Sequence, residues 1–495
     1  MAQCAVRTAT LLGVQAVPVE VQVDVGAGLP TFAIVGLPDL AVQEARERVR
    51  SAVRASGFEL PNARIVVNLA PSPLRKHGTG FDLPIAVGLL VATGQLSRCL
   101  AEELSVVGEL ALDGSVRSVP GMLAYALGAR QQGLPLLGPA ESAEAACQEG
   151  VDYRPLAHLS RIRQPVCSGS VSSARAIGST TGCGVDFAEV AGHELAKRAL
   201  LIAAAGGHNA LMIGPPGSGK TMLARRLPGI LPPLDAEERL QTALVHSVAG
   251  IDESAALSGL RPFRAPHHSA SIAGLVGGGS PPRPGEASLA HNGVLFLDEM
   301  PEFGPAALQA LRQPLEDGSI TLVRAEARML FPARFALVGS ANPCPCGFFG
   351  DARRRCTCPD SVVDRYRGRI GGPLMDRIDL VIDVARIDPS LMLRPSVGAD
   401  SVSLRERVLE ARERAAARGL GPTSGLNGAS LLQACRLDAA ARSRLESAAR
   451  QKHLSGRGVT RLLRVARTAA DLEGSERVCA EHVSEMLGYR AKEGT

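Results

Sequence analysis

Residues 211–227 read LMIGPPGSGKTMLARRL, which is a short apolar run, a glycine-rich turn and a run with apolar residues at helical spacing. This order predicts a strand, a loop and a helix, with the backbone N–H groups of the loop and the helix N-terminus binding phosphate oxygens. We expect Lys220 to reach the β and γ oxygens of a nucleotide, and the Thr221 hydroxyl to bind Mg²⁺. The predicted nucleotide-binding residues are Gly214, Pro215, Pro216, Gly217, Ser218, Gly219, Lys220, Thr221 and Met222.

A second apolar run, NGVLFLDEMPEF at residues 292–303, ends in two adjacent carboxylates. After a buried strand, Asp298 is expected to hold the Mg²⁺ shell and Glu299 to polarise a hydrolytic water. The alternative is a strand followed by the acidic cap of a helix. The phosphate-binding loop upstream favours the catalytic interpretation.

Two further polar residues fit the same nucleotide. The sequence FALVGSAN at 335–342 predicts a third strand, and its last residue, Asn342, is expected to contact the γ-phosphate or the attacking water. Arg377 lies between Asp376 and Asp379 in GGPLMDRIDLVIDV. It forms either a local salt bridge or an arginine finger that stabilises the transition state at a neighbouring subunit's ATP. The second interpretation requires an oligomer.

Composition indicates a globular α/β protein. Of the 495 residues, 45% are hydrophobic and the net charge is only +5, so charge alone does not indicate a nucleic-acid partner. The N-terminus lacks the pattern of a secretion signal, and no uncharged apolar stretch is long enough to cross a membrane. Seven of the 11 cysteines are isolated, which is typical of a reducing compartment. We therefore expect a cytoplasmic protein without a membrane partner.

The chain divides by pattern into four parts. Residues 1–166 alternate strand-like and helix-like runs, which predicts an α/β domain. Residues 167–184 are rich in Ser, Gly and Thr and are predicted to form a flexible linker. A second α/β domain is predicted for 185–389, and the charged remainder, 390–495, is predicted to form a helical lid.

The order of motifs resembles that of a known family. The segments are DFAEVAGHELAKRALLIAAAGGHNALMIGPPGSGKT, RPFRAPHHSAS, PGEASLAHNGVLFLDEMPEF, FPARFALVGSANPCPCG and GGPLMDRIDL. They are similar to the magnesium-chelatase-like AAA+ ATPases, specifically the ComM/YifB subfamily. The resemblance implies a P-loop α/β domain that uses ATP and Mg²⁺, and a homo-hexamer in which Arg377 acts in trans.

The resemblance also assigns roles to basic residues. LSGRGVTRLLRVARTAADLEG resembles the sensor 2 helix, which touches the γ-phosphate from the nucleotide's own subunit; Arg457 is our first choice for that contact and Arg464 the second. These arginines would also suit a solvated helical face. Two extra loops, SIAGLVGGGSPPRPGEASLAHNG and GSITLVRAEARMLFPARF, correspond to loops that grip DNA in the pore of hexameric relatives. The implied DNA contacts are Arg283, Arg324 and Arg328, although such loops could instead stiffen the subunit interface.

The N-terminal part resembles the catalytic domain of Lon protease, a ribosomal-S5-domain-2-like α+β fold. In this resemblance Asp82 stands at the position of the serine nucleophile and Tyr125 at that of the lysine base. Because that dyad needs a hydroxyl beside an amine, we expect no peptidase activity. The basic residues at 75–77 (Arg-Lys-His) are a candidate surface for DNA or a partner.

Four cysteines follow Asn342 closely, within residues 344–358. Cys344, Cys346, Cys356 and Cys358 could bind a structural Zn²⁺ through four sulfurs, take part in redox chemistry, or lie unligated in a tight turn. The arginines at 353–355 could touch DNA or simply keep this loop solvated.

The function that the resemblance implies is an ATP-driven DNA motor. It would act on single-stranded or branched DNA, with recombination proteins as partners, in branch migration and integration during natural transformation. Two alternatives stay open: a chelatase-type ATPase that inserts Mg²⁺ into a porphyrin, and an AAA+ remodeller of polypeptides.

Overall fold

The computed structural model describes residues 2–146, 150–163, 185–323, 328–351, 353–388, 390, 398–420 and 422–490. The predicted linker, 167–184, lies outside these ranges. Within them, no helix has both the length and the apolar character needed to cross a bilayer.

The N-terminal part is built on a mixed seven-stranded sheet. Its strand order is β3-β4-β2-β1-β5-β8-β9. Strand β2 pairs antiparallel with both of its neighbours, β4 and β1, and all the other pairs in the sheet are parallel. The strands are β1 (Ala2–Leu12), β2 (Gln15–Gly26), β3 (Thr31–Val35), β4 (Arg64–Ala70), β5 (Ser105–Val106), the paired β6 (Glu109–Leu110) and β7 (Val116–Arg117), β8 (Leu136–Pro139) and β9 (Tyr153–Leu156). The helices are α1 (Leu40–Ala55), α2 (Asp82–Ala92), α3 (Cys99–Glu102), α4 (Met122–Gln131) and α5 (Ala143–Ala146).

The pattern of burial explains this sheet. In β2, Val19, Val21 and Val23 are buried and the residues between them are exposed, as expected for a strand with one face on a core. Helix α2 is buried along its whole length, which fits its nearly uninterrupted apolar sequence.

The central part is a five-stranded parallel sheet of order β11-β12-β15-β10-β16, with a separate two-stranded hairpin, β13-β14. Its strands are β10 (Ala210–Ile213), β11 (Phe263–Arg264), β12 (Val294–Leu297), β13 (Ser319–Val323), β14 (Arg328–Pro332), β15 (Ala336–Ala341) and β16 (Leu380–Asp383). The helices are α6 (Glu194–Gly206), α7 (Lys220–Ile230), α8 (Ala236–Ala249), α9 (Ser254–Leu257), α10 (Ile272–Val276), α11 (Glu286–Leu289), α12 (Pro305–Ala310), α13 (Arg312–Asp317), α14 (Asp360–Gly368) and α15 (Gly372–Met375). Because the strands are parallel, all their carboxyl ends lie at one edge of the sheet and their amino ends at the other.

The C-terminal part is helical, as the sequence predicts. It contains α16 (Ser401–Ala417), α17 (Gly428–Cys435), α18 (Ala439–Gln451), α19 (Gly456–Leu472) and α20 (Ala480–Gly488). Its apolar side chains join one continuous core with α6, α7 and one face of the parallel sheet. The buried Asp471 accepts both Nη groups of Arg418, at 2.6 and 2.7 Å, and pairs with the buried Arg467 at 3.0 Å. The Arg418 pair fixes the end of α16 against α19, whereas the Arg467 pair lies within α19.

Among the described residues, the N-terminal part contacts the central part through α4 and through the β1–β2 turn. Helix α4 packs on α8, where Gly121 N–H donates to the Ser247 carbonyl at 2.7 Å and Leu123 joins a small apolar cluster. The β1–β2 turn lies against the hairpin, so that a Cβ on Gly13 would stand 2.7 Å from the carbonyl oxygen of Leu330 in β14. The N-terminal part therefore lies against the hairpin that was expected to bind DNA.

The N-terminal part corrects one expectation. Lys76 is fully buried, and its ammonium donates to the carbonyls of Gly36, at 2.9 Å, and Pro71. His77 pairs with Asp39 at 3.4 Å. The 75–77 segment thus does not present its lysine to a partner, because two carbonyl groups of neighbouring turns bind it instead.

The two residues at the protease dyad positions are used in packing. Asp82 is buried and accepts from Arg48 Nε at 2.6 Å and from Leu110 N–H at 3.2 Å, while burial raises the pKa of Asp82 to about 6. Tyr125 is buried in a separate cluster beneath the sheet. The lack of peptidase activity stays a prediction.

Candidate active site

The phosphate-binding loop joins β10 to α7 at the carboxyl edge of the parallel sheet. Gly219 caps α7 with φ +87°, a left-handed conformation that favours glycine. The Lys220 side chain is buried, which lowers its pKa, and Nζ donates to the Gly214 carbonyl at 2.7 Å and the Pro215 carbonyl at 3.0 Å. The ammonium is therefore held inside the loop by oxygens that a phosphate could replace.

Oxygen ligands for Mg²⁺ meet at the same edge. The Thr221 hydroxyl donates to Asp298 Oδ2 at 2.9 Å, and the Ser340 hydroxyl donates to Asp298 Oδ1. Hydroxyl and carboxylate oxygens are the ligands that Mg²⁺ prefers, so these residues fit the ion. Ser340 fixes the carboxylate in the orientation that leaves Oδ2 facing the loop.

Glu299 has an unusual backbone conformation. Its φ is +51°, which is uncommon for a residue with a side chain and is typical of functional sites. Its N–H donates to Ser340 Oγ at 3.1 Å, and its exposed carboxylate faces the His268 ring, with 3.9 Å between Oε2 and Nδ1. The turned backbone directs the carboxylate away from the strand, where it can accept a proton from a water.

Asn342 links these groups. It follows β15, which lies between β10 and β12, and its Oδ1 accepts from Lys220 Nζ at 3.3 Å. The structure thus brings together the predicted loop lysine, both carboxylates and the predicted sensor. Together they could bind a nucleoside triphosphate with Mg²⁺ and position a water for attack on the γ-phosphorus.

Arg377 lies at the opposite edge of the sheet. It precedes β16, and its carbonyl accepts from Asn209 Nδ2 at 2.9 Å, the residue before β10. Asn209 and Gly214 are five residue steps apart in extended chain, a span of about 16 Å. Arg377 therefore stands far from the phosphate-binding loop of its own chain.

A cleft of about 790 Å³ surrounds Arg377, and we call it the arginine cleft. Arg457 lines it and, among the described residues, makes no hydrogen bond or ion pair. Burial and the neighbouring Arg312 and Arg457 lower the pKa of Arg377. The cleft thus brings several guanidinium groups together with carboxylates that include Glu316 and Asp376, and Arg457 has no anionic partner among the described residues.

The structure places both predicted sensor arginines in this cleft, and their contact with a γ-phosphate stays a prediction. Arg457 and Arg464 line the arginine cleft, across the sheet from the phosphate-binding loop of their own chain. Arg464 donates to the Leu426 carbonyl at 2.7 Å and to Asn427 Oδ1 at 2.5 Å. The reason is the packing of the lid, which brings the first turn of α19 to the amino edge of the sheet.

The structure describes two of the three arginines that were predicted to contact DNA. Arg328 is exposed at the first position of β14, opposite Val323, and Arg283 is exposed in a loop closed by backbone bonds to Gly278. Arg324 lies outside the described residues. The two described arginines are accessible to a backbone phosphate.

The sulfur atoms of the four clustered cysteines lie close enough together to form one site. The sulfurs of Cys344, Cys346 and Cys356 lie 3.3 to 3.6 Å apart, and all four Sγ atoms lie within 4.8 Å of one another. Tetrahedral Zn²⁺ with four thiolates needs sulfurs about 3.8 Å apart. Backbone N–H groups of Thr357 and Phe348 lower the pKa of Cys346 to about 6, which favours the thiolate. The residues therefore fit Zn²⁺.

The cysteine loop touches the phosphate-binding loop. A Cβ on Gly347 would stand 2.6 Å from Cδ of Pro216, so the two loops are packed with no space between them. The nearby rings are covered by cations: Arg354 stacks over Phe348 and Arg367 over Phe349. Because the two loops are in contact, a change in the shape of the cysteine loop would also change the shape of the phosphate-binding loop.

Three residues at the site were not assigned from sequence. Ser340 is missed because only the alignment of β12 with β15 brings it beside Asp298. His268 lies in the quoted RPFRAPHHSAS segment, but a histidine in a loop has no distinctive spacing. His193 at the start of α6 has a buried Nε2 without a partner among the described residues, 3.3 Å from a Cβ built on Gly219, where it could meet a nucleotide.

Comparison with known families gives three matches that follow one another along the chain. Residues 21–141 match the family described as subunit ChlI of Mg-chelatase. Residues 186–392 match magnesium chelatase, subunit ChlI, and residues 398–490 match the C-terminal family of that subunit.

Individual proteins show the same similarity over nearly the whole length. The chain is 42% identical over 498 residues to the uncharacterized protein YifB of Escherichia coli, which covers 98% of this chain and 96% of that protein. It is 42% identical over 492 residues to competence protein ComM of Haemophilus influenzae, which covers 97% and 96%. The magnesium-chelatase 38 kDa subunit of Rhodobacter capsulatus is 26% identical over 332 residues, 61% of this chain and 85% of that protein.

Proposed function

Because this chain belongs to the ComM/YifB subfamily of the magnesium-chelatase-like AAA+ ATPases, we propose that it is an ATP-driven motor on DNA. The motor is a homo-hexamer that moves single-stranded or branched DNA and promotes branch migration and integration during natural transformation and recombination. One observation carries the proposal: the groups for ATP hydrolysis stand at one edge of the sheet, and a cleft with several arginines, among them Arg457 without an anionic partner in the described part of the chain, stands at the other.

The hydrolytic step follows from the carboxyl edge. Lys220 and the loop N–H groups bind the phosphates, while Thr221 and Asp298 would hold a Mg²⁺, which would offset negative charge on the phosphate groups. Glu299 accepts a proton from the attacking water, and Asn342 holds the γ-phosphate in line with it. The contacts among these side chains support these roles.

The arginine cleft supports assembly. Arg377 and Arg457 cannot serve the nucleotide of their own chain across the sheet, whereas a neighbouring copy could bring its phosphates into the cleft. Guanidinium groups directed at the transferring phosphoryl group stabilise its transition-state charge. We therefore assign Arg377 as the finger in trans and Arg457 as a second cation at the same phosphate.

Exposed arginines support DNA as the substrate. Arg328 on the hairpin and Arg283 on the glycine-rich loop are two separate cationic points that can follow a sugar–phosphate backbone. Such contacts are independent of base sequence and weaken with salt. A motor that processes any incoming DNA needs this type of binding.

The test compares ATP turnover without DNA, with single-stranded DNA and with a forked or four-way junction, together with displacement of a labelled strand. We expect DNA to raise turnover and the junction to be resolved only with ATP. Arg328→Ala should weaken DNA binding evenly across sequences and reduce the salt slope by about one. Turnover that is indifferent to every DNA would reject the motor.

A second candidate is metal insertion into a porphyrin. It is favoured by the match of all three segments to families named for the chelatase subunit ChlI. Porphyrin metalation with chelatase partner subunits, in the absence of any response to DNA, would establish it. Polypeptide-stimulated turnover without a response to DNA would instead establish the third alternative, a protein remodeller.

The cysteine loop is proposed to hold a structural Zn²⁺ that braces the phosphate-binding loop. We expect about one Zn²⁺ per chain by metal analysis, and its loss in the double variant Cys344→Ser/Cys358→Ser. Because Gly347 rests on Pro216, loss of the metal should also weaken ATP binding severalfold in a direct titration. Cys99→Ser, at an exposed and distant cysteine, should change neither quantity. Zinc-free protein with unchanged ATP affinity would contradict the brace.

A further inference from the structure

We propose that Glu316 is a gate on the arginine finger: its carboxylate holds Arg377 inside its own chain until DNA displaces the β13–β14 hairpin. This inference rests on the motor proposed above and adds to it the coupling between DNA and hydrolysis. Glu316 lies in α13, and its carboxylate forms an ion pair with Arg377 Nη2. The sequence showed neither the pair nor a role for this glutamate.

The ion pair with Glu316 uses the guanidinium group of Arg377, the proposed finger. Arg377 has two partners among the described residues that would compete with a ligand, the Glu316 carboxylate and the Pro373 carbonyl, while its buried Nε has none. A carboxylate and a phosphate use the same N–H edge of a guanidinium. Glu316 and a neighbour's γ-phosphate are therefore alternative occupants of one position.

The other cations of the cleft are arranged differently. Arg461 donates to the carbonyls of Met375 and Ile378 at 2.9 and 2.8 Å, which fixes it to the backbone. Arg457 has no such partner among the described residues and is exposed. Arg377 differs from both, because its guanidinium is paired with Glu316, a carboxylate on the helix that leads into the hairpin.

Glu316 moves with the hairpin. Helix α13 ends at Asp317, Gly318 turns with φ +65°, and β13 begins at Ser319. The Gly318 carbonyl accepts from Ala333 N–H at 2.8 Å, so the base of the hairpin is closed directly behind the helix. A tilt of the hairpin on DNA would be transmitted through this short connection to the carboxylate.

The strength of the pair suits a gate. The Arg377 side chain is 13% exposed but that of Glu316 is 57% exposed, so solvent screens the attraction. Half-exposed pairs of this kind change an equilibrium by about fivefold or less. The contact is therefore strong enough to lower resting turnover and weak enough to be broken by DNA.

The experiment uses the full-length, assembled protein and compares Glu316→Gln with wild type. We expect Glu316→Gln to raise ATP turnover without DNA by about three- to fivefold, leave the DNA-saturated rate unchanged and so lower the stimulation ratio. The KM for ATP should stay the same, because the phosphate-binding loop lies at the other edge of the sheet. If Glu316 served only in folding, Glu316→Gln would change the midpoint of thermal unfolding but would not raise ATP turnover in the absence of DNA.

Two further variants define the gate. Asp317→Asn removes the same charge one residue later in α13, without the contact to Arg377, and should leave the resting rate and the stimulation ratio unchanged. The double variant Glu316→Gln/Arg377→Ala should be as inactive as Arg377→Ala alone, because the gate acts only through the finger.

The outcomes separate the gate from the motor. If DNA stimulates wild type but Glu316→Gln keeps the same resting rate and ratio, or loses resting activity, the gate is rejected and the motor stands. If wild type does not respond to DNA, the motor is rejected and DNA cannot be the trigger of the gate.

Discussion

Replacing Glu299 by Gln is expected to lower ATP turnover by about 100-fold or more while ATP binding persists. The amide keeps the size of the side chain and the turned backbone at φ +51°, but it cannot accept a proton from water. Lys220, Thr221 and Asp298, which are assigned to phosphate and Mg²⁺ binding, are untouched. Rapid-quench hydrolysis and equilibrium binding of ATP measure the two effects separately, and we expect ATP to stay trapped in the protein.

The matched control is Glu302→Gln. Glu302 lies three residues later, is exposed and pairs with Arg369 at 3.2 Å, so its replacement removes a similar charge outside the site. Its turnover should remain within about twofold of wild type. A Glu299→Gln protein that hydrolyses ATP at a comparable rate would assign the proton acceptor to another group.

Replacing Arg377 by Ala is expected to lower turnover by about 1,000-fold, the lower end of the effect of an arginine finger. Nucleotide binding should persist, because the phosphate-binding loop of the same chain lies across the sheet. Arg369→Ala, which removes an exposed guanidinium eight residues earlier in the chain, serves as the control and should keep normal turnover. Steady-state turnover and direct ATP titration give both quantities.

Mixing inactive proteins tests whether the finger acts in trans. Lys220→Ala chains lack a working phosphate site but keep Arg377, whereas Arg377→Ala chains have the opposite defect. In mixed assemblies an Arg377→Ala chain can receive the finger of a Lys220→Ala neighbour, so turnover should recover in part. A mixture as inactive as its components, although mass measurements show mixed assemblies, would mean that Arg377 acts within its own chain.

The carboxyl edge could be predicted from sequence because its signals are local. Each of the three runs LMIGPPGSGK, VLFLDE and FALVGSAN combines a strand with a polar residue that follows it, and parallel strands bring those residues together. Ser340 could not be assigned, since a serine inside a strand gains its role only from the register with β12. The turned backbone at Glu299 has no sequence signal either.

The amino edge was less predictable because it depends on packing between distant segments. The amphipathic pattern of α19 predicts which of its faces is buried, but not which edge of the sheet its first turn approaches, so the position of Arg457 in the arginine cleft could not be predicted. Lys76 shows the same limit: a basic triplet suggests an exposed surface, but two carbonyl groups from separate turns enclose the middle side chain.

The separation of the phosphate-binding loop from the arginine cleft restricts the symmetry of the assembly. If the finger acts in trans, two different patches must meet, so the contact is heterologous, and a two-fold dimer, which pairs a patch with itself, cannot complete a site. Head-to-tail contacts repeat until the rotation closes or a filament grows. An open stack leaves one loop without a finger and one cleft without a phosphate, whereas a closed ring leaves none. ATP turnover per chain therefore reports how completely the chains are assembled into closed rings.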